Sequence, residues 1–296
     1  MPELPDITAY CEALEERVRG RRLAHVKLAH PFLLRSVEPP LSMVFGREVE
    51  AVRRLGKRIA LGLDHDLWLI VHLMIAGRLH WYARERPAKP RAALAYFEFE
   101  SGTLTLTEAG TTRRASLFVV AGAERLRAHD PGGIEVLSST LAQFAKQLTS
   151  SNHTVKRALT NAKTFSGIGN AFSDEILHRA HLSPVALTQR LTPAEIDALY
   201  AATVAVLAEW TDRLRAQRAG EFPEKVTAFR PEMAVHGKFG QPCPVCGTAV
   251  QRIRYASNET NYCPRCQTGG TILADRALSR LLKDDWPRTI EELEKE

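Results

Sequence analysis

Long apolar runs are missing from this 296-residue chain. Stretches such as Leu67–Ala76 are short and interrupted, well under the ~20 residues a membrane-spanning helix needs. The opening Met1-Pro-Glu-Leu-Pro-Asp6 lacks the basic segment and apolar core of an export signal, so the expected location is cytoplasmic. Cysteine is scarce: five residues, one of them the isolated Cys11 in an amphipathic segment, where a small buried side chain is the simplest reading. That excludes a disulfide-built secreted scaffold. Acidic residues are outnumbered, 34 against 40 basic, for a net charge of +6. The imbalance is deeper than it looks. Residues 284–296 hold six acids against Arg288 and Lys295, and without them 38 basic residues face 28 acidic ones. A surplus of that kind suits a polyanion, whose counterions are released on binding, although many basic proteins bind no nucleic acid.

What is present divides the chain into segments. Residues 1–125 open with Ile7, Tyr10, Cys11, Leu14 and Val18 at helical spacing. Short runs rich in β-formers follow: Leu23–Leu28, Glu48–Leu55, Ile59–Leu63, Trp68–Leu73, Arg78–Tyr82, Ala95–Glu100 and Thr103–Thr107. The last two, joined by Ser101-Gly102, read as a hairpin, and Ala83–Ala93 as an exposed loop. The sum is a β-sandwich with a helix against it. Residues 126–235 turn helical, over Leu141–Leu148, Val155–Thr160, Asn170–Ala180 and Pro193–Ala219, the last capped by Thr192 with Pro193 at the first helical position. Residues 236–270 hold the other four cysteines. Residues 271–296 read as a short amphipathic helix (Ile272, Leu273, Leu278, Leu281, Leu282) and an acidic tail. The fold class expected is a multidomain α+β protein.

Three local patterns carry chemistry. Cys243-Pro-Val-Cys246 and Cys263-Pro-Arg-Cys266, sixteen residues apart, offer four thiolates to one ion and point to one structural zinc and no other cofactor. A closed tetrahedron leaves no open position, so the metal should hold fold; a redox pair is the less suitable alternative. Between the knuckles, Gln251–Ala256 alternates as a hairpin strand would, with Arg252 and Arg254 on one face. Second, Gly167-Ile168-Gly169-Asn170 precedes a helix whose N-terminus can meet an anion, though such a turn is as easily plain turn chemistry. Third, loss of Met1 would leave Pro2 as a secondary amine beside Glu3. Such an amine titrates at about 8 and is nucleophilic when neutral. A neighbouring carboxylic acid can move protons for it. Alone, Met-Pro-Glu is only a common start.

The order of these patterns is what narrows the reading. Met1-Pro-Glu-Leu-Pro-Asp6, Leu55-Gly-Lys57-Arg58, His72-Leu-Met-Ile-Ala-Gly77, Gly167–Leu177 and the four cysteines together resemble the formamidopyrimidine-DNA glycosylase/endonuclease VIII family, over about residues 1–270. The resemblance implies an N-terminal β-sandwich, a helix–two-turns–helix domain and a C-terminal zinc finger, acting as a monomer on double-stranded DNA with damaged bases or abasic sites, held between the halves. It implies excision of a damaged, oxidised base and strand nicking through an imine. Pro2 is then the nucleophile, Glu3 the proton donor and acceptor, and Lys57 the lysine that assists beside the lesion. His72 and Asn170 match phosphate-binding residues flanking the extruded nucleotide, and Lys156 lies where the family carries a lysine near the lesion. Extrusion is required because a stacked base hides its sugar C1′. A binding-only relative that has lost catalysis is the alternative; a zinc-ribbon module would explain the cysteines but not the start of the chain.

Departures from the pattern are also visible. The finger hairpin bears Asn258 where the family has a phosphate-pinning arginine, a loss that Arg252 or Arg254 would have to offset. Of the side chains that fill the space left by the flipped base, the methionine position reads as Ile75, or Met74 in a shifted register. The arginine reads as Arg114 or Arg113, and the phenylalanine as Ala115. Loss of that ring predicts weak reading of the opposite base, since stacking on a base is worth roughly 1–3 kcal/mol. Asp6 replaces a glutamate. The preferred lesion stays open among oxidised purines, oxidised pyrimidines, bulky adducts and bare abasic sites.

Overall fold

The computed structural model describes residues 1–83, 92–109, 112–224, 226–255, 258–275 and 287–293. They form two compact units: 1–132 with 209–228, and 133–208 with 229–296.

The first unit begins with α1 (Leu4–Val18), whose Ile7, Tyr10, Cys11, Leu14 and Val18 are all buried, as their spacing requires. Eight strands follow: β1 (Arg22–Leu28), β2 (Arg47–Leu55), β3 (Arg58–Leu63), β4 (Leu67–His72), β5 (Gly77–Tyr82), β6 (Ala93–Phe99), β7 (Gly102–Glu108) and β8 (Ser116–Ala121). All pairs are antiparallel, in the order β5-β7-β6-β1-β2-β3-β4-β8. Only Arg22↔Glu48 and Leu23↔Arg47 join the two halves of this sheet, and apolar side chains of both halves enter one core with α1. The sandwich is therefore one continuous sheet folded over a common core. β8 has no counterpart in the sequence reading, because Arg113-Arg114-Ala115 before it carries none of the usual boundary residues. Its open edge is blunted by Arg35 N–H on the Leu117 carbonyl (2.8 Å) and by Ser36 Oγ, which accepts from Val119 N–H at 2.8 Å.

The β6–β7 turn is Glu100-Ser101, one residue earlier than the sequence suggests, with Phe99 opposite Gly102. Gly102 is needed there: at φ +154°, a Cβ would stand 2.6 Å from the Tyr82 carbonyl oxygen. The loop expected over Ala83–Ala93 lies mostly outside the described residues, and Ala93 already belongs to β6. A short helix, α2 (Ala123–Ala128), ends the N-terminal stretch.

In the second unit, α3 (Leu141–Thr149), α4 (Val155–Thr160) and α5 (Asn170–Arg179) lie within two residues of their expected bounds. Thr140 and Thr154 cap the first two, with side-chain oxygens accepting from Gln143 and Arg157 N–H groups. Helix α6 (Pro193–Arg218) starts on a reciprocal box, Thr192 N–H to Glu195 Oε2 (2.7 Å) and Glu195 N–H to Thr192 Oγ1 (3.3 Å). Its last residues, from Glu209, belong to the first unit, where Arg215 pairs with Glu12 (2.6 Å) and Arg218 with Glu16. The four-cysteine segment contributes the hairpin β9 (Gln251–Arg254) and β10 (Glu259–Tyr262), then α7 (Pro264–Thr268). Ile272 is buried; Leu278, Leu281 and Leu282 of the expected C-terminal helix lie outside the described residues.

Candidate active site and metal centre

In the first unit the start of the chain is built around the end of α1. Glu3 is the N-cap: its main-chain N–H donates to Asp6 Oδ2 at 2.9 Å, and its carboxylate accepts from the Asp6 N–H in return. A capping box with acids in both roles fixes the Glu3 side chain, and Asp6 is long enough for its half of it. Pro2, Glu3 and Asp6 are all buried. The terminal amine is held below its ordinary value of 8.0, first by burial; Glu3 opposes most strongly, Arg78 reinforces, Asp6 opposes and Lys57 reinforces. Lys57 therefore shares a neighbourhood with the N-terminus, as the sequence suggested, and so does Arg78, which it did not single out. Arg78 Nη1 donates to the carbonyls of Ile75 (3.2 Å) and Gly77 (2.7 Å), tying it to the turn after β4.

Lys57 is in the two-residue Gly56-Lys57 turn joining β2 to β3, closed by Leu55 opposite Arg58. Gly56 has φ 59°, the left-handed value such a hairpin needs. His72 ends β4, opposite Arg58 on one side and Ser116 on the other. Burial, then Arg58 and Lys57, bring it down to about 4, so at neutral pH it is an uncharged imidazole with one N–H to give. Arg58 is itself anchored on the His129 carbonyl.

In the turn after β4, Met74 and Ile75 differ in exposure. Met74 is in the left-handed region at φ 54° and half-buried; Ile75 is 57% exposed. Ile75 is thus the apolar side chain this turn offers to solvent. At the other loop, the buried Glu108 carboxylate accepts from the N–H of Arg114 (2.9 and 3.0 Å) and of Ala115 (3.0 Å), and Arg113 and Arg114 project outward. Ala115 corrects the sequence reading. It is 3% exposed and part of the sheet's core, so it is no shortened version of a surface ring. A phenylalanine there would overpack the core.

In the second unit, α5 organises the remaining residues. Asn170 opens it after Gly169, and its Nδ2 donates to the Glu259 carbonyl of β10 at 2.8 Å. Lys156, read from the sequence as a contact near the lesion, sends its Nζ to Asp174 Oδ1 (2.5 Å) and to the Asn170 carbonyl (2.8 Å). With Lys156 12% and Asp174 0% exposed, this ammonium is engaged inside the unit. Asp174 also takes His236 Nδ1 at 2.8 Å, and Glu175 accepts the N–H groups of Ala234, Val235 and His236 at 2.8, 2.9 and 2.9 Å. Neither acid was singled out from the sequence. The signal was there: two adjacent carboxylates in a helix whose Phe172, Ile176 and Leu177 must all be buried leave no polar face for them, so they need partners inside.

Cys243, Cys246, Cys263 and Cys266 have sulfurs all within 4.8 Å of one another. Two pairs stand at 3.4 and 3.9 Å, near the ~3.8 Å edge of a tetrahedron built on zinc–sulfur bonds of about 2.3 Å. The donor set and its spacing fit one structural zinc. On the neighbouring hairpin Ile253 points inward, while Arg252 and Arg254 share the other face. Their side chains differ in use: Arg252 stacks over Phe239 (4.0 Å) and reaches Glu259 Oε2 (3.5 Å), whereas Arg254 is exposed and its guanidinium meets no partner among the described residues. Asn258 is exposed, its carbonyl accepting from Tyr255 N–H at 2.7 Å across the turn.

Comparison with known proteins covers most of the chain. Residues 1–115 match the formamidopyrimidine-DNA glycosylase N-terminal domain, 133–214 its H2TH domain, and 240–269 the zinc finger found in FPG and IleRS. A formamidopyrimidine-DNA glycosylase of Symbiobacterium thermophilum is 31% identical over 286 residues, 90% of this chain and 89% of that one. An uncharacterized formamidopyrimidine-DNA glycosylase-like protein of Mycobacterium tuberculosis is 41% identical over 165 residues, 55% of this chain and 100% of its own length. Among solved structures, the Lactococcus lactis Fpg in complex with DNA containing an abasic site superposes with a TM-score of 0.78 at 22% identity, over 90% of this chain and 99% of that one. No helix among the described residues is long and apolar enough to cross a membrane.

Proposed function

We propose, from the premise that this chain belongs to the formamidopyrimidine-DNA glycosylase family, that it excises damaged bases from DNA and then nicks the strand, with Pro2 as the nucleophile. The observation that carries this is the buried Pro2–Glu3 pair at the start of α1, where the terminal amine is pushed below its ordinary value. Burial and the cations Arg78 and Lys57 favour a neutral, nucleophilic nitrogen at pH 7. Removal of Met1 would move that amine onto Pro2, next to a carboxylate already fixed by its capping box. The Pro2 nitrogen bonds to C1′ as the glycosidic bond breaks, and the base leaves with a proton that Glu3 can supply. The secondary ammonium loses its proton and the C1′–O4′ bond breaks, O4′ taking a proton that Glu3 can relay; the nitrogen lone pair thereby forms an iminium at C1′, which acidifies the C2′ proton. Its removal drives expulsion of the 3′ phosphate, and water releases the sugar.

Lys57, Arg78 and neutral His72 supply positive charge or N–H donors suited to flanking phosphates. Solved relatives bound to abasic-site and Fapy-dG DNA support the substrate class. Borohydride reduction during incubation with abasic-site DNA is the test. A covalent adduct at Pro2, in protein whose mass shows Met1 removed, is expected; its acid limb should lie below the ordinary range of a terminal amine, because the burial, Arg78 and Lys57 that lower the Met1 amine would act on a Pro2 amine as well. Full trapping by protein that keeps Met1 would overturn the assignment, since an acylated nitrogen cannot form an iminium.

A further inference from the structure

The zinc ligands are gripped from α5, and one grip is a side chain in direct reach of a ligand atom. His178, one residue before the end of α5 and 5% exposed, has its Nε2 3.2 Å from Cys243 Sγ. A second tie runs from the same part of the chain: Gln267 Nε2 donates to the Leu182 carbonyl at 2.9 Å, while its Oε1 accepts the Cys263 N–H at 2.8 Å. Two of the four cysteines are thus tethered to α5 or the turn after it. At the other end of α5, about 12 Å away for eight helical residues, Asn170 holds the β10 backbone.

We infer that His178 is a positioning residue for the zinc: its Nε2–H donates to the Cys243 thiolate, fixing that ligand and sharing its negative charge. The sulfur of a zinc-bound cysteine carries no proton, so the imidazole must be the donor, as the Nε2–H tautomer. Four thiolates place a net negative charge on the centre in a buried setting, and an N–H donor in contact with one of them stabilises that charge directly. Partners outside the coordination sphere that orient a ligand in this way commonly change metal affinity by about 10- to 100-fold. The inference rests on the zinc assignment and not on the proposed reaction.

Two substitutions and one measurement on the unaltered protein test it. His178→Phe keeps a ring of similar size and removes the donor; His178→Gln keeps an N–H. Zinc transfer to excess colorimetric chelator should be roughly 10-fold faster in His178→Phe, with His178→Gln closer to the parent. In cobalt-substituted protein, loss of the hydrogen bond raises the sulfur lone-pair energy, so the sulfur-to-cobalt charge-transfer band should shift to longer wavelength in His178→Phe. A purely packing role would not move that band. Release within about 2-fold of the parent and an unmoved band would overturn the inference. If the phenylalanine variant does not fold, nitrogen-15 correlation spectra of the zinc-loaded parent decide: protonated Nε2 is expected, and protonation at Nδ1 alone would overturn it.

Discussion

Lys156 and Arg254 are both basic residues in a DNA-glycosylase family chain, yet their side chains are engaged very differently. The Lys156 ammonium is enclosed between Asp174 and the Asn170 carbonyl, while the Arg254 guanidinium is exposed. Arg254→Ala should therefore lower the salt slope of DNA binding by about 0.9, one phosphate equivalent. Lys156→Met should leave the slope unchanged and instead destabilise the second unit by roughly 1.5–3 kcal/mol, since the buried Asp174 carboxylate loses its ammonium partner and keeps only His236. Titrations of binding against salt, with denaturation of each variant, separate the two. The opposite pattern would return Lys156 to the DNA surface and remove Arg254 from it. Counting basic residues could not distinguish them, because only the fold reveals which cation has found an internal anion.

At the level of elements, α5 has a larger part than its length suggests. Its Asp174 and Glu175 hold the 234–236 segment, its Asn170 holds β10, and its His178 reaches Cys243. Glu175 is the member with most to lose: three main-chain N–H groups converge on its carboxylate, and removing it leaves all three without their acceptor. Glu175→Ala should cost roughly 3 kcal/mol or more, as charged hydrogen bonds contribute about 1.5–3 kcal/mol each and do not add fully. Urea unfolding followed by hydrogen exchange of the α5 amides measures it. A loss below about 1 kcal/mol would mean that water or neighbouring groups replace the carboxylate.

For the whole molecule, the division into two units sets what metal removal can reach. The finger shares its unit with α3, α4 and α5, and the β-sheet of the first unit has a core of its own. Chelation should raise hydrogen exchange in α5 and β9–β10 while leaving β2–β4 protected, because metal binding free energy here is folding free energy of one unit. Equal loss of protection in β2–β4 would show that the two units unfold as one.

The sequence alone determined the elements whose signals are local. Apolar spacing set α1 and α3 to α6, alternation and turn residues set seven of the eight strands of the first unit, and the paired Cys-x-x-Cys knuckles set the metal. Order along the chain was enough to identify the family. It could not determine partners brought together across long separations. Glu108 beneath Arg114, Glu175 beneath residues 234–236, Arg78 beside the terminal amine and His178 against Cys243 follow from burial, and a buried polar group takes whichever partner the packing provides. The burial of Ala115 is of the same kind: its neighbours along the chain suggested an exposed position, and the packing ahead of β8, with its N–H on the buried Glu108, put it in the core.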